Sequence, residues 1–308
     1  MKNFRNILVG VDLSQGDRIV SDLIPPPTAE AILRARWLAK LNSARITFFT
    51  AIDISAAAQR MVEENTEEEP SVVQEARSVL QGLAAEAEAD GVSADVAIKF
   101  GKSWLEIIRQ VLREKHDLVV VGTRHLSSTW SAILGSTGIK LLRKCPCPVW
   151  ITQPNNGELI KSVLVAHDLR PVGDQAMELG CSMAELHGAQ LHVLHSIEFP
   201  EYDNVFQQHV SSDTMATYRE TAQSHINAQL QDYHFSKPPK IYLVTGAADL
   251  AVMEHIAEYD IQLLTMGTIA RTGIAGFITG NTAERLLPNI PCSVLAVKPI
   301  DFVSPVTL

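Results

Sequence analysis

The chain has 308 residues, 46% of them hydrophobic and 20% charged, which suits one large or two ordinary globular domains and excludes a disordered chain. Its formal charge of -9 argues against general binding to nucleic acid or anionic membrane, because both partners are themselves negative. The opening apolar run, Ile7 to Val11, is too short for a signal-peptide core, and no stretch reaches the ~18 uninterrupted apolar residues of a membrane span, so a soluble cytoplasmic protein is expected.

In chain order, an apolar strand at Ile7 to Val11 is followed by a loop between Ser14 and Thr28 that contains Pro25, Pro26 and Pro27. A helical pattern covers Thr28 to Leu41, and a strand covers Ile46 to Thr50. The acidic crowding at Glu63, Glu64, Glu67, Glu68 and Glu69 reads as the solvated start of a helix over Glu69 to Asp90. Strand, helix and strand follow at Val96 to Phe100, Ser103 to Glu114 and Leu118 to Val121; a last helix at Ser136 to Leu142 leads into a strand at Val149 to Thr152. Gln153 to Leu159, QPNNGEL, is polar and turn-rich and separates a first domain, 1–153, from a second, 160–300, with strands at Val163, Leu191, Ile241, Leu263 and Val294. Continuous Val, Ile and Leu strands alternating with helices indicate parallel strands covered on both faces. Each half is therefore expected to be a doubly wound, Rossmann-like α/β domain of five strands. The four cysteines lack C-x-x-C spacing and read as small buried hydrophobes in a reducing compartment.

The two halves repeat each other. ARITFFTAID from Ala44 aligns with AQLHVLHSIE from Ala189, an offset of 189 minus 44, or 145. The same offset carries Gly101 to Gly246, Gly122-Thr123 to Gly267-Thr268, Gly135 to Gly280 and Pro146-Cys147 to Pro291-Cys292. Upstream, ILVGVDLS from Ile7 matches VLVAHDLR from Val163 with Asp12 on Asp168, an offset of 156, so the first half has an 11-residue insertion before Thr28. Its position after Asp12, together with its prolines, suggests a partial lid.

In an open parallel sheet, ligands bind beyond the carboxyl ends of the strands, where the strand order reverses. In the first half that edge offers Val11, Asp12 and Leu13, then Ala51, Gly101, Gly122 and His125, with Gly135, Ser136 and Thr137 opening the last helix. The second half offers Asp168, Ser196, Gly267, Ala270, Gly280, Asn281 and Thr282. Glycines admit backbone N–H groups close to an anion, and a helix N-terminus supplies unpaired donors, so a phosphate is the natural ligand. Asp12 suits a base or ribose as an acceptor and equally suits a turn or cap at the start of its loop. His167 and His195 end neighbouring strands beside Asp168, where a metal or proton-transfer site is an alternative to a core role. His192 and His195 are three apart on a strand, so they point to opposite faces.

At these residues the sequence resembles the universal stress protein family. Its nucleotide-binding members use G-x2-G-x9-G-[S/T], with an Asp after the first strand, to hold ATP or AMP. Gly122-x2-His125-x9-Gly135-Ser136 has that spacing with His in place of the second glycine, and Gly267-x2-Ala270-x9-Gly280-Asn281 departs twice. LLRKCPCPVWI from Leu141 and RLLPNIPCSVLAV from Arg285 look like the closing helix, Pro-Cys turn and fifth strand of the family. The segment from Met266 resembles the second half of tandem E-type members. The resemblance implies an adenine nucleotide alpha hydrolase-like fold and a stress-response sensor that binds ATP or AMP without efficient turnover, with Mg as an optional companion of ATP. The alternatives are a slow ATP hydrolase or phosphotransferase using His125 and a divalent metal, and a scaffold whose degenerate pockets take an apolar ligand. The family pairs fifth strands across a two-fold axis, so the resemblance also implies an intramolecular pseudo-dimer of the halves, with homodimers of whole chains as a further level.

Overall fold

The computed structural model describes residues 4–14, 20–21, 23–54, 70–123, 134–197, 212–268 and 281–308. The chain divides into a first unit, Asn3–Glu158 together with Val303–Leu308, and a second unit, Leu159–Phe302.

The first unit contains β1 (Asn6–Gly10), α1 (Pro26–Asn42), β2 (Arg45–Ile52), α2 (Ser71–Ala89), β3 (Ala94–Phe100), α3 (Ser103–Glu114), β4 (Leu118–Gly122), α4 (Ser136–Lys144) and β5 (Val149–Thr152). Its five strands run parallel in the order β3-β2-β1-β4-β5, with Val9 opposite both Phe48 and Val120. The order reverses between β1 and β4. Ile7, Leu8, Val9, Ile46, Phe48, Leu118 and Val120 are wholly buried, as continuous apolar strands covered by helices on both faces require.

The proline cluster departs from the expected loop. Pro25 is the N-cap of α1, and Pro26 and Pro27 form its first turn, where a missing N–H costs nothing and φ is already near the helical value. Within the insertion, Val20 and Ser21 are buried, whereas Leu23 is exposed. Gln153 to Glu158 is docked rather than merely connecting. Glu30 on α1 accepts the N–H groups of Asn155 (3.0 Å) and Gly157 (3.1 Å) through one carboxylate oxygen, while its other oxygen pairs with Arg34 Nε at 2.7 Å. Arg34 in turn donates to the Glu158 carbonyl at 2.5 Å. The C-terminal residues also belong to this unit: Ser304 donates to the Lys144 carbonyl, and Val306 is buried.

The second unit repeats the plan with β6 (Ser162–Ala166), α5 (Pro171–His187), β7 (Gln190–Ile197), α6 (Ser212–Leu230), β8 (Lys240–Thr245), α7 (Ala248–Glu258), β9 (Leu263–Gly267), α8 (Asn281–Leu286), a 3-10 turn at Leu287–Asn289, and β10 (Ser293–Val297). Its parallel strands run β10-β9-β6-β7-β8, so the reversal falls between β6 and β9. Each unit is thus a doubly wound five-stranded α/β domain. Among the described residues no helix is long and apolar enough to cross a membrane.

Candidate functional site

In the first unit, β1 continues into Val11, whose N–H bonds to the Phe49 carbonyl at 2.7 Å and whose carbonyl accepts the Thr50 hydroxyl at 2.9 Å. The chain is thereby pinned where it leaves the sheet, with Leu13 buried and Asp12 exposed between them. One oxygen of the Asp12 carboxylate accepts both the Ser14 N–H (3.0 Å) and hydroxyl (2.6 Å), an Asx turn that fixes the exposed side chain. Ala51 is half-buried near the end of β2. Gly101 follows β3 with φ of +131°, a conformation side chains rarely adopt, and its N–H bonds to the Ile52 carbonyl.

Gly122 has a packing task. A Cβ there would lie 2.4 Å from the Pro27 carbonyl carbon and oxygen, so glycine at this position lets the first turn of α1 sit on the end of β4. Further along the motif, Gly135 is half-buried and Ser136 exposed, and the half-buried Thr137 follows them. Gly135 is the N-cap of α4, with no side-chain cap and no acidic residue in the first turn, so no side chain of that turn neutralises the positive end of the helix. His125 lies outside the described residues.

In the second unit, the exposed Asp168 accepts the Arg170 N–H at 3.1 Å, repeating the turn at Asp12, and its carboxylate oxygen lies 2.3 Å from where a Cβ on Gly173 would be. Glycine in the first turn of α5 therefore makes room for Asp168. Ser196 is committed to the Gly246 carbonyl at 2.6 Å, and Gly246 repeats the positive φ of Gly101, at +138°. Gly267 packs against Val172 of α5, as Gly122 does against α1. Asn281 and Thr282 open α8, while Ala270 and Gly280 lie outside the described residues. Sequence reading missed Lys298. It is buried directly after β10 and donates to the Thr268 hydroxyl, a cation at the strand edge where the first half has Gln153.

The histidines form networks with defined roles. His167 Nδ1 accepts the Leu169 N–H at 2.9 Å, so the proton of the neutral ring sits on Nε2 and is donated to the Gln229 side-chain oxygen at 2.9 Å. Gln229 donates onward to Asp174 at 2.5 Å, and His225 Nε2 faces the same carboxylate at 2.9 Å. Burial holds His167 below its ordinary pKa, which keeps this tautomer neutral. Ligand atoms of His167, Asp174 and His225 lie within 4.8 Å of one another, but His167 presents an N–H to that space, and a cation there would require the Leu169 bond to break.

The alternative of a metal or proton-transfer site shared by His167 and His195 meets a different arrangement. His195 Nδ1 faces the His167 carbonyl at 2.8 Å and Nε2 faces the Tyr218 hydroxyl at 3.0 Å, so with Nδ1 donating and Nε2 accepting both nitrogens are used. His192 lies on the other face, among Tyr242, His255 and Tyr259.

The universal stress protein family profile matches residues 3–153 and again 160–298. Among relatives, universal stress protein E of Photorhabdus laumondii is 23% identical over 99% of this chain and 98% of its own length. Universal stress protein E of Escherichia coli K12 is 24% identical over 100% and 98%. Of solved structures, one from Pseudomonas aeruginosa PAO1 superposes with a TM-score of 0.70 at 22% identity, covering 97% of this chain and 94% of that one. A universal stress protein from Archaeoglobus fulgidus gives 0.64 at 20% identity, covering 95% and 98%. With two family domains spanning nearly all of its length, the chain belongs to the universal stress protein family in its tandem form.

Proposed function

We propose that this chain is a cytoplasmic, stress-responsive sensor that binds ATP or AMP without efficient turnover. One observation carries the reading: Asp12, Gly101 and the uncapped helix start at Gly135, Ser136 and Thr137 occupy the carboxyl edge of a single sheet whose strand order reverses between β1 and β4. An acceptor fixed by its own turn suits a ribose or base, and helix N–H groups suit phosphates. Asp168 and the start of α8 offer a second such edge. The Asp12 carboxylate, held by two bonds from Ser14, is preset as an acceptor, which supports binding over chemistry.

Titration of the full chain with ATP, ADP and AMP under thermal unfolding tests this reading. A ligand at 100 times its dissociation constant should add ~2.7 kcal/mol to the unit that binds it. No shift with any of the three would remove the nucleotide from the reading, and sustained phosphate release from bound ATP would remove the sensor.

A further inference from the structure

Beside the nucleotide edge, the first unit has an open cavity of about 700 Å³ between strand β3, the outermost of its sheet, and helix α3. Four cationic side chains line it: Lys99, Lys102, Arg109 and Arg113. Ile98, Phe100 and Leu105 give it an apolar wall. Arg109 alone is neutralised, by the buried Glu106 at 2.6 Å, and it also donates to the Thr307 carbonyl at 3.3 Å. Lys99, Lys102 and Arg113 are exposed and have no ion-pair partner among the described residues. In a chain of net charge -9, this gathers uncompensated positive charge around one concavity.

The second half shows that the fold does not demand these charges. At the offset of 145, Lys99, Lys102, Arg109 and Arg113 become Val244, Ala247, Glu254 and Glu258. The backbone is kept: β8 and α7 repeat β3 and α3, and Gly246 repeats Gly101 with nearly the same φ. The apolar wall is partly kept as well, with Leu243 and Leu250 in the places of Ile98 and Leu105. Two cations are lost and two are reversed to acids on an equivalent framework. The positive cleft is therefore a feature of the first unit's own side chains and not a requirement of strand–helix packing.

We propose that this cavity binds a small anionic amphiphile, with a phosphate or carboxylate head held by the cationic side chains and an apolar body laid against Ile98, Phe100 and Leu105. The guanidinium fork matches the planar or tetrahedral oxygens of such a head, and the volume falls in the ordinary range of small-molecule sites. Among the described residues of the nucleotide edge, Gly101 alone lines the cavity, which leaves room for both ligands at once.

Octyl phosphate, below its micellar concentration, is the probe, titrated calorimetrically into the full chain. One equivalent should bind, with an affinity that falls as salt is raised and that persists under saturating ATP. The triple variant Lys99→Val/Lys102→Ala/Arg113→Glu, which takes the second unit's residues at three exposed positions, should fold normally and bind about tenfold more weakly or worse. Sedimentation with phosphatidylglycerol vesicles, lost in the variant, would assign the head to a lipid; binding of the free probe without sedimentation would assign it to a soluble amphiphile. Failure of octyl phosphate to bind, equal affinity in the triple variant, or complete displacement by ATP would overturn the proposal. Displacement by ATP would leave the nucleotide reading standing.

Discussion

Glu30→Ala is expected to destabilise the first unit by roughly 3–5 kcal/mol, the cost of leaving a buried charge without its partner. Glu30 and Arg34 are 3% and 5% exposed, and each is bonded both to the other and to the 155–158 segment. Removing the carboxylate leaves the Arg34 guanidinium with one carbonyl acceptor, at Glu158, and removes the acceptor of two backbone N–H groups, at Asn155 and Gly157. The segment that closes the first unit would then come loose. Urea unfolding should show an earlier first-unit transition, and hydrogen exchange at Asn155 and Gly157 should quicken even in the folded chain. Glu30→Ala/Arg34→Met should recover much of the loss, because an apolar pair of similar volume is often neutral in place of a buried ion pair. A loss below about 1 kcal/mol would place the pair in effectively aqueous surroundings and sink the argument.

The same pair marks where sequence reading stops. Glutamate and arginine four apart on a helix look like any solvated i,i+4 pair. What buries this one is Asn155 to Glu158, more than 120 residues downstream, so no local pattern contains the information. The strands were legible because both sheet faces are covered: runs such as Ile7 to Val9 and Leu118 to Val121 have no alternation to confuse, and their ends shift by one or two residues at most. Pro25 to Pro27 misled because proline punctuates loops and helix starts alike, and only the fit of α1 onto Gly122 decides between them.

At the candidate site, the internal repeat paired Asp12 with Asp168 across the 11-residue insertion, and the two glycines of positive φ, Gly101 and Gly246, at the gapless offset of 145. It did not show that Gly122 and Gly267 also make room for the starts of α1 and α5. The Asp174, His225 and Gln229 network was partly visible as a His and a Gln four apart on α6, but its other members, His167 just after β6 and Asp174 on α5, lie far away in sequence. Lys298 was visible only as a departure from Gln153. Its meaning depends on burial beside Thr268, which spacing does not give.

Acidification should weaken both units in parallel, between pH 6.5 and about 4. In the first unit, burial, helped by the charge of Arg45, pushes His116 down to about 4. In the second, burial, with His255 and Lys240 nearby, does the same to His192. A base whose folded pKa lies below its unfolded value takes up its proton more readily when unfolded. The stability it permits is therefore complete above about pH 6.5 and is lost as pH falls toward the folded value. Each pH unit across that window is worth about 1.4 kcal/mol at most, and after discounting for water access the loss is on the order of 2 kcal/mol per unit of the protein. His167 and His255, lowered in the same direction, add to the second. Carboxylate titration overlaps the lower end of the window, so the decisive comparison is a variant. His192→Phe keeps a ring among Tyr242, His255 and Tyr259 and removes a buried Nδ1 that has no hydrogen-bond partner among the described residues. Its second-unit transition should match the parent at pH 7.5 and fall less steeply down to pH 4.5, while the first-unit transition keeps its slope. Identical slopes for parent and variant would show that His192 titrates in the folded chain as it does in water, against the burial that its place in β7 gives it.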